Sequence, residues 1–331
     1  MEIAIIGCGL IGKKRANSLR KEDNIAVVCD TKEAIAKSFS QTYQVPYVVD
    51  WQEVANYPVD AVVIATTHNT LAEISHYFLQ KNIHILVEKP AARNWQELKP
   101  VYDTYLAKKQ DGVVARVGFN HRFHPAMLKA KEILSDPSVG ENMFIRGRYG
   151  HGGRIGYDKE WRAKPQVSGG GELLDQGMHL IDLSRWYFGD FNKVQGIAQT
   201  FYWDMPVDDN AFLTLQSGTG QVSQLHVTWT EWKNLFSLEI YTRNVKLHIE
   251  GLGGSYGTER LAYYHMKPEM GPPDTLIYEY PGADQSWQRE WLDFVAATEG
   301  KASVGGTLAD ALQALQIVKT VYEQNPQIKL D

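Results

Sequence analysis

The apolar positions of this chain change their period near residue 120. Before it, short consecutive apolar runs alternate with amphipathic stretches. EIAIIG, IAVVCD, DAVVIAT, IHILVE and VVARVGF read as strands buried on both faces. Residues 13–21, 31–42, 70–81 and 94–109 read as the helices between them. This alternation predicts a doubly wound parallel sheet with its ligand crevice at the carboxyl ends of the strands. Beyond residue 120, FHPAMLKAKEIL and ELLDQGMHLIDLSRWYF carry helical periodicity. KVQGIAQTFYW, NAFLTLQ, QVSQLHVTW, FSLEIYT and NVKLHIE follow as strands, and the last of them alternate with period two. Leu225, Val227 and Trp229 share one face, and Gln224, His226 and Thr228 the other. Val245, Leu247 and Ile249 alternate likewise with Lys246, His248 and Glu250. The expected architecture is α/β. An N-terminal Rossmann domain over 1–120 precedes an α+β domain over 121–331 with a large, mostly antiparallel open sheet. Helices at 285–299 and 307–323 are expected to return and brace the first domain.

The first strand runs directly into Gly7, Gly9 and Gly12, a G-x-G-x-x-G pattern with Leu10 and Ile11 between its last two glycines. Gly7 permits the tight turn, Gly9 lets backbone approach a pyrophosphate, and Gly12 lets helix pack on strand. The second strand ends in Asp30, where a carboxylate accepts hydrogen bonds from the adenosine ribose diol and repels a 2′-phosphate. NAD is therefore expected over NADP, although Lys32 close by softens that discrimination. The other strand ends that face the crevice carry Thr66, Thr67, His68 and Asn69, then Glu88 and Lys89; all six are expected near the cofactor.

Length and composition narrow the setting. At about 150 residues per domain, the 331 residues make two domains. A formal net charge of −5 gives no footprint for nucleic acid. No apolar run approaches the ~20 residues that span a bilayer. Cys8 and Cys29 are the only cysteines, so no disulfide framework is expected and both read as small core residues in a reducing cytoplasm. No Cys/His cluster has metal-ligand spacing.

Three segments, GCGLIG with Asp30, ILVEKPAA and GGGELLDQGMHLIDLSRW, together with VGFNHRFHP, resemble the glucose–fructose oxidoreductase / inositol dehydrogenase (Gfo/Idh/MocA) family in the right order and over essentially the whole chain. The resemblance implies NAD(P) between a Rossmann domain and an open-sheet domain, and hydride transfer at a secondary hydroxyl of a sugar, inositol or sugar nucleotide. It implies Lys89 as catalytic lysine, Asp175 and His179 as the catalytic acid and histidine, and a cis bond before Pro90. The residues themselves agree. Asp175 and His179, four apart in a helical stretch, share a face. A histidine suits removal of a hydroxyl proton, and a lysine beside the same oxygen stabilises developing alkoxide. Taken singly, each has a plainer reading: Glu88-Lys89 as a solvated pair, Asp175 and His179 as a helix-surface pair, GGG as a loop. His121 and His124 read as structural.

The stretch MFIRGRYGHGGRIGYDKEWR holds Arg146, Arg148, Arg154 and Arg162 among aromatics. Arginines grip phosphates and aromatics stack on sugars or bases. Arg154, Tyr157, Trp161 and Arg162 are therefore expected at the substrate, and favour a nucleotide sugar oxidised at ring C3, such as UDP-N-acetylglucosamine. Arg146 and Arg148, two apart, equally suit the polar face of a strand. The loop GLGGSYG at 251–257 reads as a tight turn. An inositol or free-sugar dehydrogenase is the alternative substrate reading; a non-catalytic NAD-bound regulator and an NAD-dependent glycosidase are alternatives of another class. A homo-oligomer, dimer or tetramer, is expected to form through the polar face of the second sheet.

Overall fold

In the computed structural model, which describes residues 1–330, the early apolar runs form one parallel sheet. Its elements are β1 (Glu2–Ile6), α1 (Leu10–Ala16), β2 (Asn24–Cys29), α2 (Glu33–Tyr43), β3 (Tyr47–Val48), β4 (Ala61–Ile64), α3 (His68–Gln80), β5 (His84–Glu88), α4 (Trp95–Lys108) and β6 (Ala115–Gly118). The strand order is β3-β2-β1-β4-β5-β6 and every pair is parallel. That order turns back at β1, the switch point where doubly wound sheets bind nucleotides. Helix α1 starts three residues earlier than its periodicity suggests, because Gly9 is already its N-cap. Strand β3 is only two residues long and leaves no periodic signal.

A second sheet follows. It comprises α5 (Pro125–Leu134), β7 (Asn142–Gly150), α6 (Pro165–Ser168), α7 (Glu172–Asp175), α8 (Gly177–Phe188), β8 (Lys193–Gln199), β9 (Asn210–Gln216), β10 (Val222–Thr228), β11 (Leu235–Thr242), β12 (Val245–Glu250), β13 (Glu259–His265) and β14 (Asp274–Tyr280). The order is β14-β13-β12-β11-β7-β10-β9-β8; only β7 and β10 pair in parallel. Helices α5 and α8 pack on one face. Leu225, Val227, Leu247 and Ile249 are buried there. The opposite face is polar and holds a groove of about 770 Å³, lined by Arg148, Phe212, His226, Glu239 and His248 among others. Arg146 and Arg148 project from β7 onto this face, as a strand spacing of two requires. Strands β13 and β14 are not among the expected runs; β14 is largely exposed at the sheet edge, so its apolar positions carry little pattern.

The chain closes with α9 (Ser286–Thr298) and α10 (Leu308–Gln324). Met1–Asn120 and Trp287–Leu315 form one compact unit, His121–Ser286 and the segment from Gln316 another. Within the first unit, Trp291, Phe294 and Val295 of α9 join the core of Ile3, Ile5, Val28 and Phe39. The indole N–H of Trp291 donates to Asp23 at 2.8 Å.

Deep in the same unit, Arg15 of α1 is 1% exposed. Its Nε donates to Glu88 at 2.6 Å and its Nη1 to Glu290 of α9 at 2.5 Å. The guanidinium also lies over the Trp287 ring, 4.5 Å from its centroid. Gly118 makes room for it, since a Cβ there would fall 2.5 Å from Nη2. One cation thus answers two buried carboxylates. Burial pushes the Glu290 carboxyl up from 4.5 to about 7; Arg15 opposes the shift and Glu88 adds to it. Between these values the folded protein keeps a proton that the unfolded chain has lost, so this group's contribution to stability falls as pH rises. Glu290→Gln keeps the shape and cannot ionise. Its stability over the native protein should grow from about pH 5 to about pH 8, by up to about 3 kcal/mol in urea titrations. Parallel pH profiles for the two proteins would show that Glu290 ionises normally.

Candidate active site

The carboxyl ends of β1, β2, β4 and β5 carry the expected cofactor residues along one edge of the first sheet. Gly7 has φ +96°, and a Cβ there would lie 2.4 Å from the Ala65 carbonyl oxygen. A Cβ on Gly12 would lie 2.0 Å from the Gly7 carbonyl oxygen. Both glycines are therefore dictated by backbone packing. Gly9 differs: a Cβ there meets nothing within 4 Å, and Leu10 beside it is 73% exposed. Gly9 keeps an open cradle, while Gly7 and Gly12 shape the loop that forms it. Ile11 and Gly12 belong to the first turn of α1, whose leading N–H groups have no intrahelical acceptor.

Asp30 is tied into the same loop. Its Oδ2 accepts from the Cys8 N–H at 3.0 Å and its Oδ1 from the Lys32 N–H at 2.9 Å. Both cysteines are buried and free, and burial pushes each thiol up to about 12. At the end of β4, Thr66 accepts from Thr70, and the Thr67 hydroxyl donates to Asn69 at 2.8 Å. Thr67 caps α3, and His68, its first residue, is buried. Lys89 follows β5 and its bond to Pro90 is cis. Glu88, the last residue of β5, accepts from Arg15 through its carboxylate.

In the second unit, Asp175 and His179 do not lie on one continuous helix. Helix α7 ends at Asp175 and α8 begins at Gly177; Gln176 joins them, and the His179 N–H turns back to the Gln176 carbonyl at 3.0 Å. The preceding glycines have a packing cause. A Cβ on Gly171 would stand 1.9 Å from the Asp208 carbonyl oxygen, and one on Gly170 2.3 Å from the Tyr322 hydroxyl. Asp208, fully buried, accepts from the N–H groups of Gly171 and Leu173 at 3.1 and 2.8 Å and from the Tyr322 hydroxyl at 2.7 Å. This clamp fixes where α7 starts. Burial pushes the Asp208 carboxyl up against the pull of those donors. Nothing in its local sequence marks it.

The substrate residues separate. Arg162 Nε donates to Asp175 Oδ2 at 3.0 Å and its guanidinium stacks on Trp161, 4.6 Å from the ring centroid. The expected anion receptor is thus already paired with Asp175. Arg154 lies on the surface and pairs with Glu160 at 2.6 Å. Tyr157 is 2% exposed, packed with Ala163, Val207 and Trp229. His151 Nδ1 accepts from the Gly153 N–H at 3.0 Å, and burial pushes its pKa down against the pull of Asp175. His124 pairs with Glu259 at 2.9 Å, a structural role. His121 does more: its ring stacks on His179. The 251–257 loop is a tight turn between β12 and β13, and it brings Tyr256 to accept from Gln176 at 3.4 Å.

Residues 1–119 match the oxidoreductase family with an NAD-binding Rossmann fold, and residues 127–248 match the GFO/IDH/MocA C-terminal domain. The chain belongs to the GFO/IDH/MocA family. Levoglucosan dehydrogenase of Pseudarthrobacter phenanthrenivorans is 31% identical over 71% of this chain; the match spans 60% of that protein's length. D-glucoside 3-dehydrogenase of Escherichia coli is 24% identical over 98% of this chain and 95% of its own. The solved structure of levoglucosan dehydrogenase with NADH superposes with a TM-score of 0.87 at 21% identity, covering 99% of this chain and 98% of that one. As a GFO/IDH/MocA member the chain is an NAD-dependent oxidoreductase, and its open Gly9 cradle and Asp30 fit that dinucleotide.

The two glycine environments predict opposite phenotypes. Gly9→Ala should melt like the native protein yet bind NAD at least about tenfold more weakly, about 1.4 kcal/mol by calorimetry. Gly12→Ala should lose about 1–3 kcal/mol of stability or more. A Gly9→Ala protein with unchanged NAD affinity would place the phosphates elsewhere.

Proposed function

We propose that this enzyme oxidises a secondary hydroxyl of a neutral sugar or glycoside with NAD. Lys89 and His179 are the groups that handle the hydroxyl. Bound NAD supplies the hydride acceptor. Hydride leaves a carbinol carbon readily only when the hydroxyl proton leaves as well, and the His179 imidazole takes that proton. The Lys89 ammonium stabilises the charge developing on the oxygen. Asp175, steered by Arg162, holds a substrate hydroxyl or orients His179. Thr66, Thr67, His68 and Asn69 line the nicotinamide end, and Trp161 offers a ring face to the sugar.

The observation that supports a neutral substrate is the Arg162–Asp175 pair at 3.0 Å. Receiving a diphosphate would require Arg162 to leave a carboxylate that already answers its charge. Relatives named for levoglucosan, D-glucosides and inositol support the same class. For the nucleotide-sugar reading the other expected cation is Arg154, whose side chain is 66% exposed and pairs with Glu160. We further place the enzyme in the cytoplasm, where Cys8 and Cys29 stay reduced, as a homo-oligomer joined through the polar face of the second sheet. No helix among the described residues is long and apolar enough to cross a membrane.

The test is NADH formation from levoglucosan, a methyl glucoside, myo-inositol and UDP-N-acetylglucosamine. A neutral member should give the highest kcat/KM; a UDP-sugar clearly ahead of all of them would return Arg154 and Arg162 to the substrate. Absence of net NADH with release of free sugar would indicate a glycosidase. Lys89→Ala and His179→Ala should each lower kcat by roughly 10²–10⁴ with NAD affinity nearly intact. Near-native turnover in either would remove that residue from the mechanism.

A further inference from the structure

His121 enters none of the roles above, yet it makes the closest ring contact of His179. The two imidazoles stack with centroids 3.7 Å apart and planes 23° from parallel. Both are buried. The contact is built from both sides. His121 lies in the 3₁₀ turn Asn120–Phe123, and the next residue, Arg122, grips Asp182 of α8 with two bonds, Nε to Oδ2 at 2.8 Å and Nη2 to Oδ1 at 2.5 Å. Asp182 is three residues after His179, on the same helical face. Beyond the turn, Glu259 accepts from the Ala126 N–H at 2.6 Å and pairs with His124. Behind His121 stand Tyr149 and Phe236, with ring centroids 5.2 and 6.0 Å away. The turn is thus clamped to α8 and backed by aromatics, and its His121 ring is pressed on the histidine.

We propose that His121 is a positioning residue that sets the ring plane of His179. This rests on the reading of His179 as the base. The second side-chain torsion of a histidine is broad, so the imidazole edge that must meet the hydroxyl is not set by the backbone alone. A flat ring against one face removes that freedom. Proton transfer depends on this alignment, and small misplacements cost one to two decades in rate.

The discriminating property is flatness. His121→Phe keeps a planar ring; His121→Leu keeps apolar bulk without one; His121→Ala removes both. Each is tested for oxidation of the panel sugar with the highest kcat/KM, for NAD affinity and for melting temperature. A second arm needs no substrate: the His179 ring resonance is followed in protein labelled at histidine Cε1 and assigned with His179→Ala. His121→Ala and His121→Leu should lower kcat about 10–100-fold, with KM and NAD affinity within about threefold, and should shift and broaden the His179 resonance. His121→Phe should restore most of kcat and a single sharp resonance. A leucine variant as active as the phenylalanine one, or an unmoved resonance in the alanine variant, would overturn the proposal. So would an alanine variant with native kcat. If His179→Ala itself retains turnover, the base reading fails and the inference with it. A sharp-to-broad change in the alanine variant would then mark the stack as structural only.

Discussion

The first unit depends on one buried cation. Arg15 comes from the helix that follows the glycine loop, Glu88 is the residue before Lys89, and Glu290 lies on the returning helix α9. Removing the guanidinium would strand two buried carboxylates with no cation between them, which costs about 3–5 kcal/mol. The pairing therefore couples three segments far apart in sequence. It fixes α1 beneath the Gly9 cradle and the end of β5 beneath Lys89 with the same atoms. It also explains why the Glu88 carboxylate turns to Arg15 although the residue stands beside Lys89.

The second unit solves the same problem by close backbone approach. Gly170 and Gly171 admit Tyr322 and Asp208 to distances that no side chain tolerates. Asp208 then caps α7 with two backbone bonds. Short α7 stops at Asp175 and the chain resets at Gln176. The acid and the histidine are thereby placed by two separate helices with separate anchors: Asp208 for α7, the Arg122–Asp182 pair for α8. A single helix would have locked their spacing to one turn. Two helices allow Asp175 to meet Arg162 while His179 meets His121.

Much of this was legible in the residues. The parallel sheet, the glycine loop, Asp30 and the long antiparallel sheet follow from period and punctuation, because burial on both faces and on one face leave different patterns. Gly9, Gly7 and Gly12 were readable as a motif, but only the geometry separates the glycine kept for a ligand from the two kept for packing. What stayed hidden was partner choice. Arg15, Asp208 and His121 carry no local mark, since each acts through a residue distant in sequence. Strand β14 was hidden for another reason: an exposed edge strand has little burial to write into its pattern.

Tyr157 and Arg162 show what residue type alone leaves open. Both lie in an aromatic, basic stretch that suits a nucleotide. Yet Tyr157 buries its ring against Trp229, 5.0 Å between centroids, and Arg162 meets Asp175. An aromatic ring gains from burial whether a sugar or a core covers it, and an arginine pairs with a carboxylate as readily as with a phosphate. Composition therefore cannot distinguish a binding surface from a scaffold that needs the same groups. The distinction lies in whether the charge is already answered. At Arg162 it is answered by Asp175. The pair orients the Asp175 carboxylate and occupies the guanidinium, and the proposal of a neutral polyhydroxyl substrate rests on that exchange.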